Sequence, residues 1–145
     1  MSGPGSGLAR RGVGLLLVLV CGGVLLIATR LEPAAAGVGT HHQLGLEPCG
    51  LLASTGVPCM TCGMTTATSL AVRGRFLAAA WTQPAGLAFA CVAAVGLYLG
   101  LWMCWTAADP RPALGWATRR TVWWWVGAFV LVGWAWTAVR LRWLA

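Results

Sequence analysis

Three cysteines in this chain are spaced so that they could act on one another: Cys49, then Cys59 and Cys62 in the stretch Cys59-Met60-Thr61-Cys62. A CxxC pair serves one of three ends: a dithiol/disulfide couple, half of a zinc site, or a structural turn. The pair stands just ahead of a segment with helical apolar spacing, and the unpaired amides of a helix start favour a thiolate. As a redox centre, Cys59 and Cys62 are the catalytic candidates, and Cys49 is placed to resolve a mixed disulfide. As a metal site, Cys49, Cys59 and Cys62 need a fourth ligand, which His41 or His42 would supply to complete a Cys3His set for zinc. As a structural device, Cys49 bonds one of the CxxC thiols and staples the loop. The structural role is preferred, which leans against an enzyme. Outside such a site, His41 and His42 are solvated loop residues.

The elements that must position these thiols are set by composition. The chain has 145 residues, 59% hydrophobic and 9% charged, against about 25% charged in a soluble domain. Too few charges remain to coat a water-facing surface, so the lipid bilayer is the expected partner. The formal charge is +7, and every basic residue is Arg. These arginines flank apolar runs rather than forming a patch, which suits membrane topology and excludes nucleic acid as the partner.

Three uncharged apolar runs are long enough to span. The expected organisation is a flexible lead over residues 1–11, a first spanning helix over 12–29, and a Cys-rich loop with an interfacial helix over 30–83. A second span over 84–108, a loop over 109–120, a third span over 121–139 and a tail over 140–145 complete it. The first run also has the form of a signal peptide, with small residues at Ala34-Ala35-Ala36 as a cleavage site; a retained helix is preferred. The runs lack two-residue alternation, so they are helices and not barrel strands. The fold class is therefore an all-α integral membrane protein with three transmembrane helices. A Cys-containing loop and a short amphipathic helix lie between the first two. In that helix Met64, Ala67, Leu70 and Ala71 face lipid or the bundle, while Thr65, Thr68 and Ser69 face water or cap backbone groups.

Charge bias favours the N-terminus inside, with Arg10, Arg11, Arg111, Arg119 and Arg120 cytoplasmic and the cysteines outside. Trp102, Trp105, Trp116 and Trp123–Trp125 form an interfacial belt at the second loop, with Trp81 and Trp143 at the other interface. Trp134 and Trp136 lie deeper and need acceptors for their indole N–H groups. The small-residue face Gly86/Ala90/Ala93/Gly96/Gly100 invites close helix packing, within the chain or with a homo-oligomer or membrane-protein partner. Cys21, Cys91 and Cys104 lie in spans as small hydrophobes. No ionisable residue lies inside a span, which argues against proton-coupled transport.

The stretch "TGVPCMTCGMTTATSLAVRGRFLAAAWTQPAG" resembles the signature of a bacterial membrane family, the domain of unknown function DUF2752. That signature has a leading Cys, then Thr-Gly-x-Pro-Cys-Pro-x-Cys-Gly-x-Thr, then a helix with Arg-Gly and a later Asn-Pro or Gln-Pro. Cys49, Thr55, Gly56, Pro58, Cys59, Cys62, Gly63 and Thr65 fall in register, as do Arg73, Gly74, Gln83 and Pro84. Met60 replaces the Pro inside the CxxC. Thr66 replaces an Arg that would be a charge partner for the thiols. The resemblance implies a small multi-spanning protein of the bacterial inner (cytoplasmic) membrane and brings no biochemical role.

Overall fold

The computed structural model describes residues 4–109 and 115–143. Among the described residues every regular element is helical: α1 (Pro4–Arg30), α2 (Gly50–Thr55), α3 (Met64–Val72), α4 (Phe76–Thr82), α5 (Pro84–Thr106) and α6 (Arg120–Trp143). Single 3-10 turns cover Thr40–Leu44 and Gly115–Thr118. Three segments, Gly7–Arg30, Pro84–Thr106 and Arg120–Arg142, are long and apolar enough to cross a membrane. Their outward side chains are large and apolar, with Leu16, Leu19, Val92, Val95 and Val132 exposed. Such a surface is stable in lipid and not in water. The protein is an all-α integral membrane protein.

α1 and α5 run antiparallel in close contact. A Cβ added at Gly100 would lie 2.8 Å from the Gly14 carbonyl oxygen, and one at Gly96 would lie 2.7 Å from Cys21 Sγ. Arg10 Nη2 meets Asp109 Oδ2 at 3.4 Å, so the start of α1 and the end of α5 share one end of the bundle. Farther along α5, a Cβ at Gly86 would meet Ala67 Cβ of α3 at 2.7 Å, and Ala90 and Ala93 are buried. The small-residue face of α5 is thus covered by α1 and α3 of the same chain. Of the two uses the sequence allows for Gly86, Ala90, Ala93, Gly96 and Gly100, this is the intrachain one. Lipid supplies no hydrophobic drive between helices, so dispersion contacts at close approach hold them, and the chain makes those contacts with itself.

α3 and α4 form a hairpin wedged between the end of α1 and the start of α5. The core there is Ala67, Leu70, Ala71, Ala79 and Ala90. Thr66, Thr68 and Ser69 of α3 are also buried, and each of these hydroxyls finds a backbone or side-chain partner, while Thr65 is half-buried. Ser69 Oγ donates to the Leu31 carbonyl at 3.1 Å, and Thr68 Oγ1 donates to the Met64 carbonyl at 2.8 Å. Arg73 Nη1 and Nη2 donate to the Ala28 and Thr29 carbonyls at 3.2 and 3.0 Å, closing orphan acceptors at the end of α1. Gln83, in extended backbone conformation, ends α4 and begins α5, as expected of a residue preceding Pro84.

Boundaries differ from expectation in three places. α1 reaches back to Pro4, so the lead is helical from there; Leu8, Ala9, Arg10 and Arg11 are good helix formers, and Pro4 suits a first turn. Gly50–Thr55 is a helix where Pro and Gly punctuation suggested loop throughout. α6 continues through the expected tail to Trp143. The break after Asp109, including Arg111, and the Trp116 and Trp143 side chains lie outside the described residues. Of the remaining belt, Trp102, Trp105 and Trp123–Trp125 are exposed at one end, and Trp81 is exposed at the other.

Candidate functional site

The loop from Leu31 to Gly63 is folded by its own polar groups. Gln43 clasps the Glu32 backbone from both sides: its Nε2 donates to the Glu32 carbonyl at 2.7 Å, and its Oε1 accepts from the Glu32 N–H at 2.9 Å. Thr40 Oγ1 accepts from the Ala34 N–H at 3.0 Å and shares a 2.7 Å hydrogen bond with Thr66 Oγ1 of α3. Thr66 is buried against Thr40. Its structural partner is therefore another hydroxyl, and this position anchors the loop.

Chain reversal brings Cys49 onto the CxxC pair. Cys49 precedes α2, and Gly56 with φ 70° ends that helix and turns the chain towards Pro58. Cys59 to Cys62 form a turn closed by the Cys62 N–H donating to the Cys59 carbonyl at 3.1 Å. Gly63 then starts α3 with φ 84°, and a Cβ there would lie 2.9 Å from the Gly37 carbonyl oxygen. Both the left-handed backbone and the close approach demand glycine. Two long-range bonds hold this turn. Gln83 Nε2 donates to the Met60 carbonyl at 2.9 Å, and Trp134 Nε1 donates to the Pro58 carbonyl at 2.8 Å.

The result is a cluster of three sulfurs. Cys49, Cys59 and Cys62 Sγ lie within 4.8 Å of one another, with Cys59 and Cys62 Sγ 3.3 Å apart. Thr61 Oγ1 lies 3.2 Å from Cys59 Sγ. The thiols differ in acidity. The backbone N–H of Leu52, then the Cys62 and Cys59 side chains, hold Cys49 down at about 6. Burial, then hydrogen bonds to Cys59 and Cys49, push Cys62 up to about 12. The helix start at α3 was expected to favour a thiolate in the CxxC pair. At Cys62 desolvation outweighs it, and the acidic thiol is Cys49 at the start of α2 instead.

Neither histidine belongs to the sulfur cluster. His41 Nε2 lies 3.3 Å from the Glu47 carbonyl, and His42 Nδ1 lies 3.1 Å from the Leu46 carbonyl. A carbonyl only accepts, so each of these ring nitrogens carries the proton. The rings pack together with centroids 4.4 Å apart and brace the return of the loop. His41 also lines the cavity beside the thiols. Cys21, Cys91 and Cys104 stand apart in the spans; Cys21 packs against Gly96. The positioning residues that sequence patterns missed are Gln83 and Trp134. The Gln-Pro of the family signature was a signal for the first, and the need of a deep indole for an acceptor was a signal for the second.

Two cavities meet at the cluster. One of about 490 Å3 is lined by Cys49, Cys59 and Cys62 together with Val24, Ile27 and Phe89. The other, about 470 Å3, touches Cys49 and Cys62 among the loop residues His42, Pro48, Leu52 and Ala53.

No curated protein and no solved structure matches the chain. Residues 49–97, from the first cysteine of the cluster to the middle of α5, match the family described as "Protein of unknown function (DUF2752)", so over this segment the chain is similar to that family.

Proposed function

We propose that Cys49, Cys59 and Cys62 form a thiol–disulfide exchange centre at the membrane surface. The convergence of all three sulfurs within 4.8 Å carries this reading. A structural staple uses two sulfurs and leaves the third idle, whereas exchange needs a third thiol within reach of a disulfide. The unequal acidities fit the same chemistry. Cys62, whose thiolate is disfavoured by burial, is the sulfur best kept in a bond. Cys49, a thiolate at neutral pH, is both nucleophile and leaving group.

In the oxidised centre, Cys59 and Cys62 share the disulfide. Cys49 thiolate attacks Cys62 Sγ, the Cys59–Cys62 bond breaks, and Cys59 leaves as a thiolate that takes a proton from solvent. The disulfide then lies between Cys49 and Cys62. A substrate dithiol reduces it through a mixed disulfide, giving a substrate disulfide and a fully reduced centre. Two electrons have then passed from substrate to protein. One substrate proton goes to Cys62, the other goes to solvent in return for the proton that Cys59 took, and Cys49 is again a thiolate. We place this activity in a bacterial cytoplasmic membrane, in keeping with the signature around the cysteines.

A zinc site is the second reading, favoured by the same spacing. Thiolates about 2.3 Å from a tetrahedral zinc stand roughly 3.8 Å apart, close to what the cluster presents. Purified protein separates the two. A reduction potential for the cysteines near roughly −200 mV suits exchange, and one below roughly −300 mV marks a structural disulfide and ends the proposal. Stoichiometric zinc that is lost in Cys49→Ser decides for the metal.

A further inference from the structure

The exchange reading leaves open what removes electrons from the centre, and the larger cavity bears on that question. It extends from the three sulfurs along Val24, Ile27 and Ala28 of α1 and to Phe89 of α5. Val24 lies about 9 Å of helix rise inside the Arg30 end of its span. Ile27 is 49% and Phe89 41% exposed, and both belong to spanning helices, so their open sides face lipid. The polar lining includes Thr61, whose hydroxyl is 3.2 Å from Cys59 Sγ, and His41. The volume, about 490 Å3, falls in the range of small-molecule sites.

The wall that α1 and α5 contribute opens on the bilayer, so a lipid-dissolved molecule has a direct way in from that side. The smaller cavity, walled by loop residues, reaches Cys49 and Cys62 separately. The centre therefore has one approach from the loop and another from lipid.

We propose that the larger cavity takes the head of a lipid-dissolved, quinone-class carrier, which reoxidises the cysteine pair. Cys59 and Cys62 give up two electrons and their two thiol protons, and an S–S bond forms between them. The quinone takes both electrons, its two oxygens take both protons, and a quinol leaves to the bilayer. The inference rests on the exchange reading and adds the identity of the oxidant.

The test uses full-length protein in lipid nanodiscs, fully reduced and freed of reductant, with decyl-ubiquinone as the probe. The ring of this probe is fully substituted, so thiols cannot add to it. One quinol per protein is expected, with a rate that saturates in decyl-ubiquinone. Ile27→Trp and Val24→Phe, which fill the cavity, are expected to lower that rate about tenfold or more, with elution profile and unfolding midpoint as folding controls. A wild-type rate that stays linear in probe, or folded variants that match wild type, overturns the inference. A separate arm mixes oxidised protein with reduced glutathione. Reaction with glutathione and no quinol overturns the carrier alone and leaves exchange standing. Reaction with neither overturns exchange itself, and the carrier with it.

Discussion

The indole N–H of Trp134 donates to the Pro58 carbonyl at 2.8 Å, joining the third span to the residue before the CxxC pair. Trp134 precedes Arg142, the end of its span, by about 12 Å of helix rise, so the cysteine turn sits below the rim of the bundle. Trp134→Phe keeps the ring and deletes the donor. It is expected to cost about 1 kcal/mol, read as a lower unfolding midpoint in detergent. Faster labelling of Cys59 by a maleimide should accompany it. Unchanged labelling would mean that α6 does not hold the turn.

Arg73 ties the cysteine-bearing half to the first span. Its guanidinium donates to Ala28 and Thr29 carbonyls, and also to Ser69 O and Oγ at 2.9 and 3.1 Å. Arg73→Met strands acceptors at the end of α1 and is expected to cost about 2–3 kcal/mol. Arg73→Lys is expected to recover only part of this, because a single ammonium cannot reproduce the planar fork. Full rescue by Lys, measured by thermal unfolding, would reduce the contact to simple charge placement.

The spans were legible because charge-free apolar runs are a property of composition, and lipid demands them whatever the tertiary packing. The closeness of Cys49 to Cys59 and Cys62 was legible from the Gly and Pro that must reverse the chain between them. The helix at Gly50–Thr55 was hidden, because six residues between Pro48 and Pro58 are too few for apolar periodicity or propensity to mark a helix. The relative acidity of the thiols was hidden too. It depends on which sulfur is buried and which meets the Leu52 N–H, and that is decided by Gln83 and Trp134 pinning the turn from distant helices. His41 and His42 have the right types for zinc ligands; one ring nitrogen of each meets a carbonyl, of Glu47 and Leu46, and the three-sulfur cluster forms without them.

The α1–α5 contact has its own test. A Cβ at Gly100 would lie 2.8 Å from Gly14 O, a backbone atom that cannot swing away, whereas one at Gly23 meets nothing within 4 Å. Gly100→Ala is expected to destabilise by about 1–3 kcal/mol. Gly23→Ala is expected to be neutral or slightly stabilising, since it only raises helix propensity. Equal midpoints for the two variants would show that the helices do not meet along this line.

Cys49 offers the sharpest pH dependence. Only the thiolate alkylates, and hydrogen bonds from Leu52, Cys62 and Cys59 hold this thiol near 6 against an ordinary value of 9.0. The rate of Cys49 alkylation by iodoacetamide should therefore be flat above about pH 7. It should fall about tenfold per unit as pH drops below 6, where the thiol is protonated. In Cys59→Ala/Cys62→Ala the two side-chain contributions vanish, while the Leu52 N–H remains. The midpoint should then move upward without reaching the ordinary value. Peptide mass spectrometry resolves the three cysteines separately. A midpoint near 9 in the native chain would remove Cys49 as the thiolate at neutral pH. A midpoint indifferent to loss of both partners would mean that the sulfurs do not interact.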